Sequence, residues 1–353
     1  MKRALGMAAI CASLALTLPT AMAGDGTAPR GGKIAYVATE MYWSVYQTPD
    51  GKAECPNGLQ KYGPREVFAT LYPKGGPEAD THLRREALKF FPEDSNDKFP
   101  IPEAVGPIAI GLNLDGKVGP RDFTSPTGEK GIDNQLYRLI GCSPQFRAPE
   151  GQFRLFANRL LFQQNWNRTI IELTGVDSLV NDDEVVVNIL RGKDPLMTDA
   201  TGDTFVAGGT QRVDTRFAKR FERQLKGKIV DGVLITEPAD VIWPLSVFFG
   251  SPSEYWFRGM RLQLKLSKTH AKGLLASYAD IDTFYRTVTT WSTHHLAYGQ
   301  LDPSGFYKKL KELADGYPDE NGRMTAISSS IDLTMTQVYL DRGGEPAAIV
   351  QSR

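Results

Sequence analysis

Residues 258–267 read RGMRLQLKLS, and this stretch decides the fold class because apolar and polar side chains alternate along it. Its apolar positions are Met260, Leu262, Leu264 and Leu266. Successive side chains of a β-strand point to opposite faces, so one face of this strand should be buried and the other should meet water. Strands of a parallel sheet are covered on both faces and would lack this alternation. The stretch therefore predicts an antiparallel sheet.

Similar segments on both sides of this stretch predict a β-rich chain. Short runs rich in Val, Ile and Leu, bounded by Gly, Pro, Asp or Asn, predict further strands at 33–39, 107–114, 168–173, 184–190, 228–236, 241–249 and 327–340. Apolar residues at helical spacing predict helices at 81–91, 271–291 and 303–314, although the start of the second also reads as a strand. We expect an α+β, mainly β fold, namely an antiparallel β-sandwich with a few peripheral helices.

The first 23 residues have the three parts of a secretory signal peptide. A basic pair stands at positions 2 and 3, an apolar stretch covers 4–18, and small residues occupy Ala21 and Ala23. A bilayer-spanning helix needs about 20 apolar residues, and Pro19 interrupts this shorter run. We therefore expect cleavage after Ala23 and a periplasmic or secreted protein.

The remaining chain has a composition that excludes some partners. Without the basic pair, 39 basic residues face 41 acidic ones, so the net charge is near −2 and gives no overall attraction to nucleic acid or to an anionic membrane. The 34 Gly and 22 Pro favour many turns, and no later run is long enough to span a membrane. We expect a signal peptide at 1–23, an irregular N-terminal region at 24–106 that packs on the core, and a β-rich core domain at 107–353.

Two cysteines remain once the signal peptide has left with Cys11. In an oxidising compartment, Cys55 and Cys142 are most simply joined as a disulfide. Two free thiols are the alternative. Neither cysteine lies in a C-x-x-C or C-x-x-C-H sequence, so nothing supports a redox dithiol or covalently attached haem.

Residues 112–135, LNLDGKVGPRDFTSPTGEKGIDNQ, are the best candidate for a metal site. The candidate ligands are Asn113, Asp115, Asp122, Asp133 and Asn134. Ca²⁺ takes six to eight oxygens from such side chains and from carbonyls that glycines help to turn inward. The spacing does not match an EF-hand loop. The alternative is a pair of turns held by their own Asx side chains, at 115–116 and 133–134.

The same segment carries a resemblance. Its pattern N-L-D-G…D-F-x-x-P-x-G-x-x-G-I-D-N-Q resembles one found in a family of uncharacterised exported bacterial proteins, and the stretches 230–241 and 324–335 fit the same pattern. The family has no assigned reaction, so the resemblance implies no catalytic residue. It implies one continuous domain in which Asp115, Asp133 and Asn134 are a shared feature.

Other candidates each have a structural alternative. Two carboxylate pairs, Glu237 with Asp240 and Asp280 with Asp282, offer the acid and base of a glycosidase, whereas turns and helix caps use such residues more often. The His294–His295 pair is a metal-ligand candidate or a polar helix end. The basic stretch 212–228 and the aromatic stretches 42–46 and 247–257 could bind an acidic partner or a glycan, or serve as solvated surface and core.

These patterns favour a non-enzymatic role. No G-x-S-x-G elbow or P-loop is present in the sequence. We therefore expect an exported binding or accessory protein of unknown ligand, stabilised by calcium, with a protein or glycan partner. One alternative is a carbohydrate-active hydrolase that uses the paired carboxylates. The other is a structural partner in an envelope complex.

Overall fold

The computed structural model describes residues 28–60, 92, 101–147, 151, 168–216, 219–248, 251–291 and 303–343. The strands are β1 (Lys33–Trp43), β2 (Phe123–Thr124), β3 (Lys130–Ile132), β4 (Arg168–Thr174), β5 (Asp182–Gly192), β6 (Gly209–Arg212), β7 (Arg223–Val230), β8 (Val233–Thr236), β9 (Ala239–Phe248), β10 (Ser251–Leu266), β11 (His270–Asp280), β12 (Gly316–Pro318) and β13 (Met324–Asp341). The helices are α1 (Gln135–Ile140), α2 (Ile281–Trp291) and α3 (Pro303–Leu313).

Eight of these strands form a closed antiparallel barrel. They are joined in chain order as β1-β4-β5-β7-β8-β10-β11-β13, and β13 pairs with β1 to close the ring. The predicted β-sandwich is therefore wrong, although the mainly β class and the antiparallel pairing are confirmed. A barrel strand and a sandwich strand show the same alternation of apolar and polar residues, because each has one dry face. Closure depends on the pairing of the first and last strands, which no local pattern encodes.

The inward-facing side chains of the barrel form its core. Tyr36, Ile171, Val187, Leu234 and Leu264 are all fully buried and belong to one apolar cluster. The stretch 258–267 behaves as its alternation predicts, since its four apolar side chains are buried and the intervening polar ones face outward.

One long hairpin extends the barrel beyond its ring. β8 and β9 run side by side with β10 as two parts of one strand, separated at Glu237–Pro238. The extended part contributes Tyr255 and Phe257, which pack against Trp43 at the end of β1. The helix α2 follows β11 directly and places Phe284 on the same aromatic group, with its ring centroid 5.2 Å from that of Trp43. This aromatic cluster joins the barrel to the helical part of the core.

A second, smaller apolar layer covers one outer side of the barrel. The strand β6 pairs in parallel with the end of β13, and Val213 just beyond it packs on the outer faces of β1, β4 and β5. Because of this cover, neighbouring residues of β1 such as Tyr36 and Val37 are both fully buried, although they point to opposite faces.

Three sequence predictions need correction at the level of single elements. Residues 107–114 make only isolated bridges at Ile108 and Leu112 and form no strand. The stretch 228–236 is the β7–β8 hairpin and not one strand, because Asp231 and Gly232 both adopt positive φ, as a tight hairpin turn requires. The predicted helix at 271–291 is β11 followed by α2.

The division at residue 106 and the disulfide can also be compared with the structure. β1 lies inside the region 24–106, yet it is a barrel strand bonded to β4 and β13. The disulfide prediction is confirmed, since Cys55 and Cys142 are bonded with their Cα atoms 5.8 Å apart. The bond ties the segment after β1 to the end of α1. The signal peptide and the predicted helix at 81–91 lie outside the described residues.

Candidate functional site

The segment 113–134 is held by its own side chains. Asn113 accepts a hydrogen bond from the N–H of Gly116 at 2.7 Å, and Asp115 accepts one from Lys117 at 2.8 Å. Asp122 accepts one from the N–H of Gly119. The first two are the short-range bonds of Asx turns, and the third runs back three residues along the chain. Three of the predicted calcium ligands therefore already bond to the backbone.

The other two predicted ligands hold the end of the segment. Asp133 accepts bonds from the N–H groups of Leu114 and Asp115, at 2.6 and 3.4 Å. Asn134 caps α1 by accepting the N–H of Tyr137 at 3.2 Å, and it donates to the carbonyl of Ile110. Of the two turns that were the alternative, the one at 115–116 is present, whereas Asp133 bonds back to the start of the segment and Asn134 caps a helix.

A calcium site here stays a prediction. Within the described part of the chain, no group of three or more His, Cys, Asp or Glu side chains lies close enough to hold a metal ion. The segment is also closely packed, since a Cβ at Gly131 would lie 2.3 Å from the carbonyl oxygen of Lys117.

Two carboxyl groups are shielded from water here, namely Asp133 at the end of the segment, which is buried, and Asp315, which is half-buried. The pKa of Asp133 is raised to about 6, chiefly by burial and in smaller part by the nearby charges of Asp122 and Asp115. Burial also raises the pKa of Asp315 to about 6, with a contribution from Asp133, whereas Arg121 opposes the shift. The same carboxylates and burial raise the pKa of the Tyr278 hydroxyl.

A short relay of hydrogen bonds connects Asp315 to the helix α1. The Asp315 carboxylate accepts bonds from the N–H and the hydroxyl of Ser328, at 2.7 and 2.6 Å. The Ser328 hydroxyl oxygen in turn accepts the N–H of Gln135 at 2.9 Å. From the barrel side, Arg261 donates to the carbonyls of Asn113 and Leu114. These bonds fasten the segment to the outer face of β10 and β13 and give both carboxyl groups a structural role.

Stability should therefore fall as the pH rises from about 4 to about 6. In that window the folded state holds protons on Asp133 and Asp315 that the unfolded chain has lost, so raising the pH favours unfolding, by on the order of 2 kcal/mol for each group. Urea unfolding at pH 4.5 and pH 7.5 measures the difference. It should shrink in Asp315→Asn and stay unchanged in Asp203→Asn, which alters an exposed carboxylate. An undiminished difference in Asp315→Asn would contradict the assignment.

The paired carboxylates proposed for a hydrolase hold local structure. Asp240 accepts the N–H of Gly259 at 2.9 Å, and Asp280 caps α2 by accepting the N–H of Thr283 at 3.0 Å. Asp282 accepts the hydroxyl of Tyr307 at 2.7 Å, and Glu237 is exposed at the break between β8 and β9. Asp280 therefore has the capping role that was the alternative, whereas Asp240 and Asp282 join neighbouring elements of the fold.

The basic and aromatic candidates are divided between several parts of the fold. Arg212 pairs with Asp194, Arg216 with Asp214, and Arg220 with Glu254. The remaining cations of the stretch 212–228 are Lys219, Arg223, Lys226 and Lys228, which are exposed. Among the aromatic residues, Trp43, Tyr255 and Phe257 are core, whereas Trp256 is 43% exposed. The histidine pair 294–295 lies outside the described residues.

The feature that the sequence did not reveal is a groove of about 560 Å³ where β1 and β13 part. Their pairing begins at Ala35 and Val338. Beyond this pair β13 continues along β6, and β1 continues along β4. The groove between them is lined by residues 28–30, 33–35 and 337–340, with Glu172, Leu179 and Lys268.

The groove combines an apolar wall with a polar rim. Ile34, Leu179 and Val338 are buried in its wall, and Tyr339 stands at its edge with 64% of its surface exposed. The residues that line the groove come from four different parts of the chain, so no local spacing could have indicated them. The site exists only because closure of the barrel brings its first and last strands together.

Comparisons with known proteins give no relative. No protein-family model, no curated protein and no solved structure matches the chain at a significant level. In the described part of the chain, none of the helices has both the length and the apolar character needed to cross a bilayer.

Proposed function

We propose that this protein is an exported, non-enzymatic binding protein and that its ligand site is the groove between β1 and β13. The observation that carries the proposal is the groove itself, whose volume of about 560 Å³ lies within the range of small-molecule sites. Such sites are mostly apolar and carry a few polar groups that orient the ligand. Export is supported by the signal-peptide pattern of the first 23 residues.

The chemistry of the groove favours binding over catalysis. The charged side chains that line it are Arg30, Lys33, Lys268 and Glu172. The one carboxylate, Glu172, is already engaged by Arg342 and by Asn188, so it is poorly suited to act as a general base. Of the carboxylates proposed for a hydrolase, Asp240, Asp280 and Asp282 are hydrogen-bonded elsewhere in the fold, and none of the four lines the groove.

A neutral fluorescent probe tests the proposal. N-phenyl-1-naphthylamine should bind the purified protein with one site per chain, because the apolar wall of the groove excludes water from the probe. Tyr339→Ala should weaken the binding roughly fivefold, since truncation of an aromatic wall removes about 1 kcal/mol of contact. Fluorescence titration gives the affinity and the stoichiometry.

The matched control is Trp256→Ala, which removes another exposed aromatic side chain, on β10. Neither residue is buried, so both variants should unfold at nearly the same temperature as the unaltered protein. Probe binding that responds equally to both substitutions, or to neither, would place the probe elsewhere and refute the groove as the binding site.

A further inference from the structure

The rim of the groove carries an excess of positive charge. Arg30, Lys33 and Lys268 are exposed cations contributed by three separate parts of the chain. The single carboxylate in the lining, Glu172, accepts the guanidinium of Arg342 at 2.5 Å and is thereby neutralised. Within the described ranges, Arg30 and Lys33 form no ion pair with another residue. Among the described residues, Arg30 and Lys33 therefore offer positive charge that is not paired with a carboxylate.

The wall behind this rim is apolar. Ile34, Leu179 and Val338 are buried there, and Leu340 is partly exposed to the groove. A ligand that fits such a wall loses water from an apolar body, and a ligand that fits the rim carries negative charge. Both requirements are met by one molecule only if it is amphipathic.

We infer that the groove binds a small amphipathic anion, with an aliphatic or aromatic body against Ile34, Leu179 and Val338 and a carboxylate beside Arg30 and Lys33. This inference rests on the proposed function and names the ligand class of that site. A neutral glycan fits less well, because sugars stack on aromatic faces and the groove presents one exposed aromatic side chain, Tyr339.

A matched pair of probes tests the charge preference directly. 8-Anilinonaphthalene-1-sulfonate differs from N-phenyl-1-naphthylamine by a single sulfonate group. The anionic probe should bind about tenfold more tightly, because a hydrogen bond to a charged group adds that much to an affinity. Salt should weaken the binding of the anionic probe and leave the neutral probe unaffected, since exposed charges are screened.

Neutralised variants locate the charge. In the double variant Arg30→Gln/Lys33→Gln, the affinity for the anionic probe should fall about tenfold and that for the neutral probe should not change. The control is Lys226→Gln/Lys228→Gln, which removes the same charge from exposed positions on β7. All four side chains are exposed, so both variants should fold.

Displacement of the anionic probe by a fatty acid tests whether the groove prefers a ligand with a carboxylate. Decanoate should displace the anionic probe at about a tenth of the concentration that decan-1-ol requires, because only decanoate adds a charge to the same apolar chain. If the neutral probe binds the groove but the two probes bind equally, or the variants of Arg30 and Lys33 behave as their control does, the anion inference is overturned and the proposed function stands. If neither probe depends on Tyr339, both are overturned.

Discussion

Removal of the Cys55–Cys142 disulfide should lower the free energy of unfolding by about 4 kcal/mol. The bond closes a loop with a sequence separation of 87 residues. A cross-link of this span restricts the unfolded chain, and the loop-closure estimate for such lengths is about 4 to 5 kcal/mol. Guanidinium unfolding of the double variant Cys55→Ala/Cys142→Ala measures the effect.

The control needs no substitution. Because Cys11 lies in the predicted signal peptide, the exported chain should contain no other thiol, and reduction of the unaltered protein opens the same bond. The reduced protein and the alanine variant should therefore agree within about 1 kcal/mol, a typical cost for small changes at a buried site. A loss below 1 kcal/mol in both would show that the bond restricts the unfolded chain far less than the loop-closure estimate requires.

Trp43→Ala should lower the free energy of unfolding by almost as much. Trp43 is 5% exposed, and its ring meets those of Tyr255, Phe257 and Phe284 at centroid distances of 5.3, 6.3 and 5.2 Å. Truncation leaves a cavity at the junction of β1, β10 and α2, and substitutions of this kind cost about 3 to 5 kcal/mol. Urea unfolding gives the value.

Trp256→Ala provides the matched control. Another tryptophan is removed, from β10, but here 43% of the side chain is exposed and its indole N–H donates to Glu254 on the surface. We expect a loss under 1 kcal/mol, as for most surface substitutions. Equal losses in the two variants would mean that the aromatic cluster around Trp43 does not stabilise the folded state more than an exposed side chain does.

Much of the barrel was predictable from local patterns. The alternation of Met260, Leu262 and Leu264 indicated one dry face, and that face is the barrel interior. The hairpin turn at Asp231–Gly232 carries the sequence signal of a tight turn, and it was missed because the flanking residues read as one apolar run. At 107–114 the same alternation occurs without a partner strand, and the segment makes only isolated bridges. Alternation of apolar and polar residues shows which face of a segment is buried, but it does not show whether a neighbouring strand hydrogen-bonds to that segment.

The candidate site was less predictable for the same reason. The composition of the segment 113–134 showed that it is rich in oxygen-bearing side chains. Whether those oxygens bind an ion or the backbone depends on where the N–H groups of Leu114 and Lys117 point, which the sequence does not show. The groove depends on Arg30, Val338 and Lys268, which are brought together by closure alone. A single sequence contains no signal that links these three positions.

The seam between β1 and β13 also sets the order in which the chain can fold. The hydroxyl of Thr39 donates to the carbonyl of Thr334 across it, at a sequence separation of 295 residues. Contacts of such long range are costly in chain entropy and slow folding, whereas hairpins such as β7–β8 and β10–β11 form locally and early. In a chain synthesised from its N-terminus, one edge of β1 stays unpaired until β13 has been synthesised. The groove at the seam is therefore among the last parts of the protein to form.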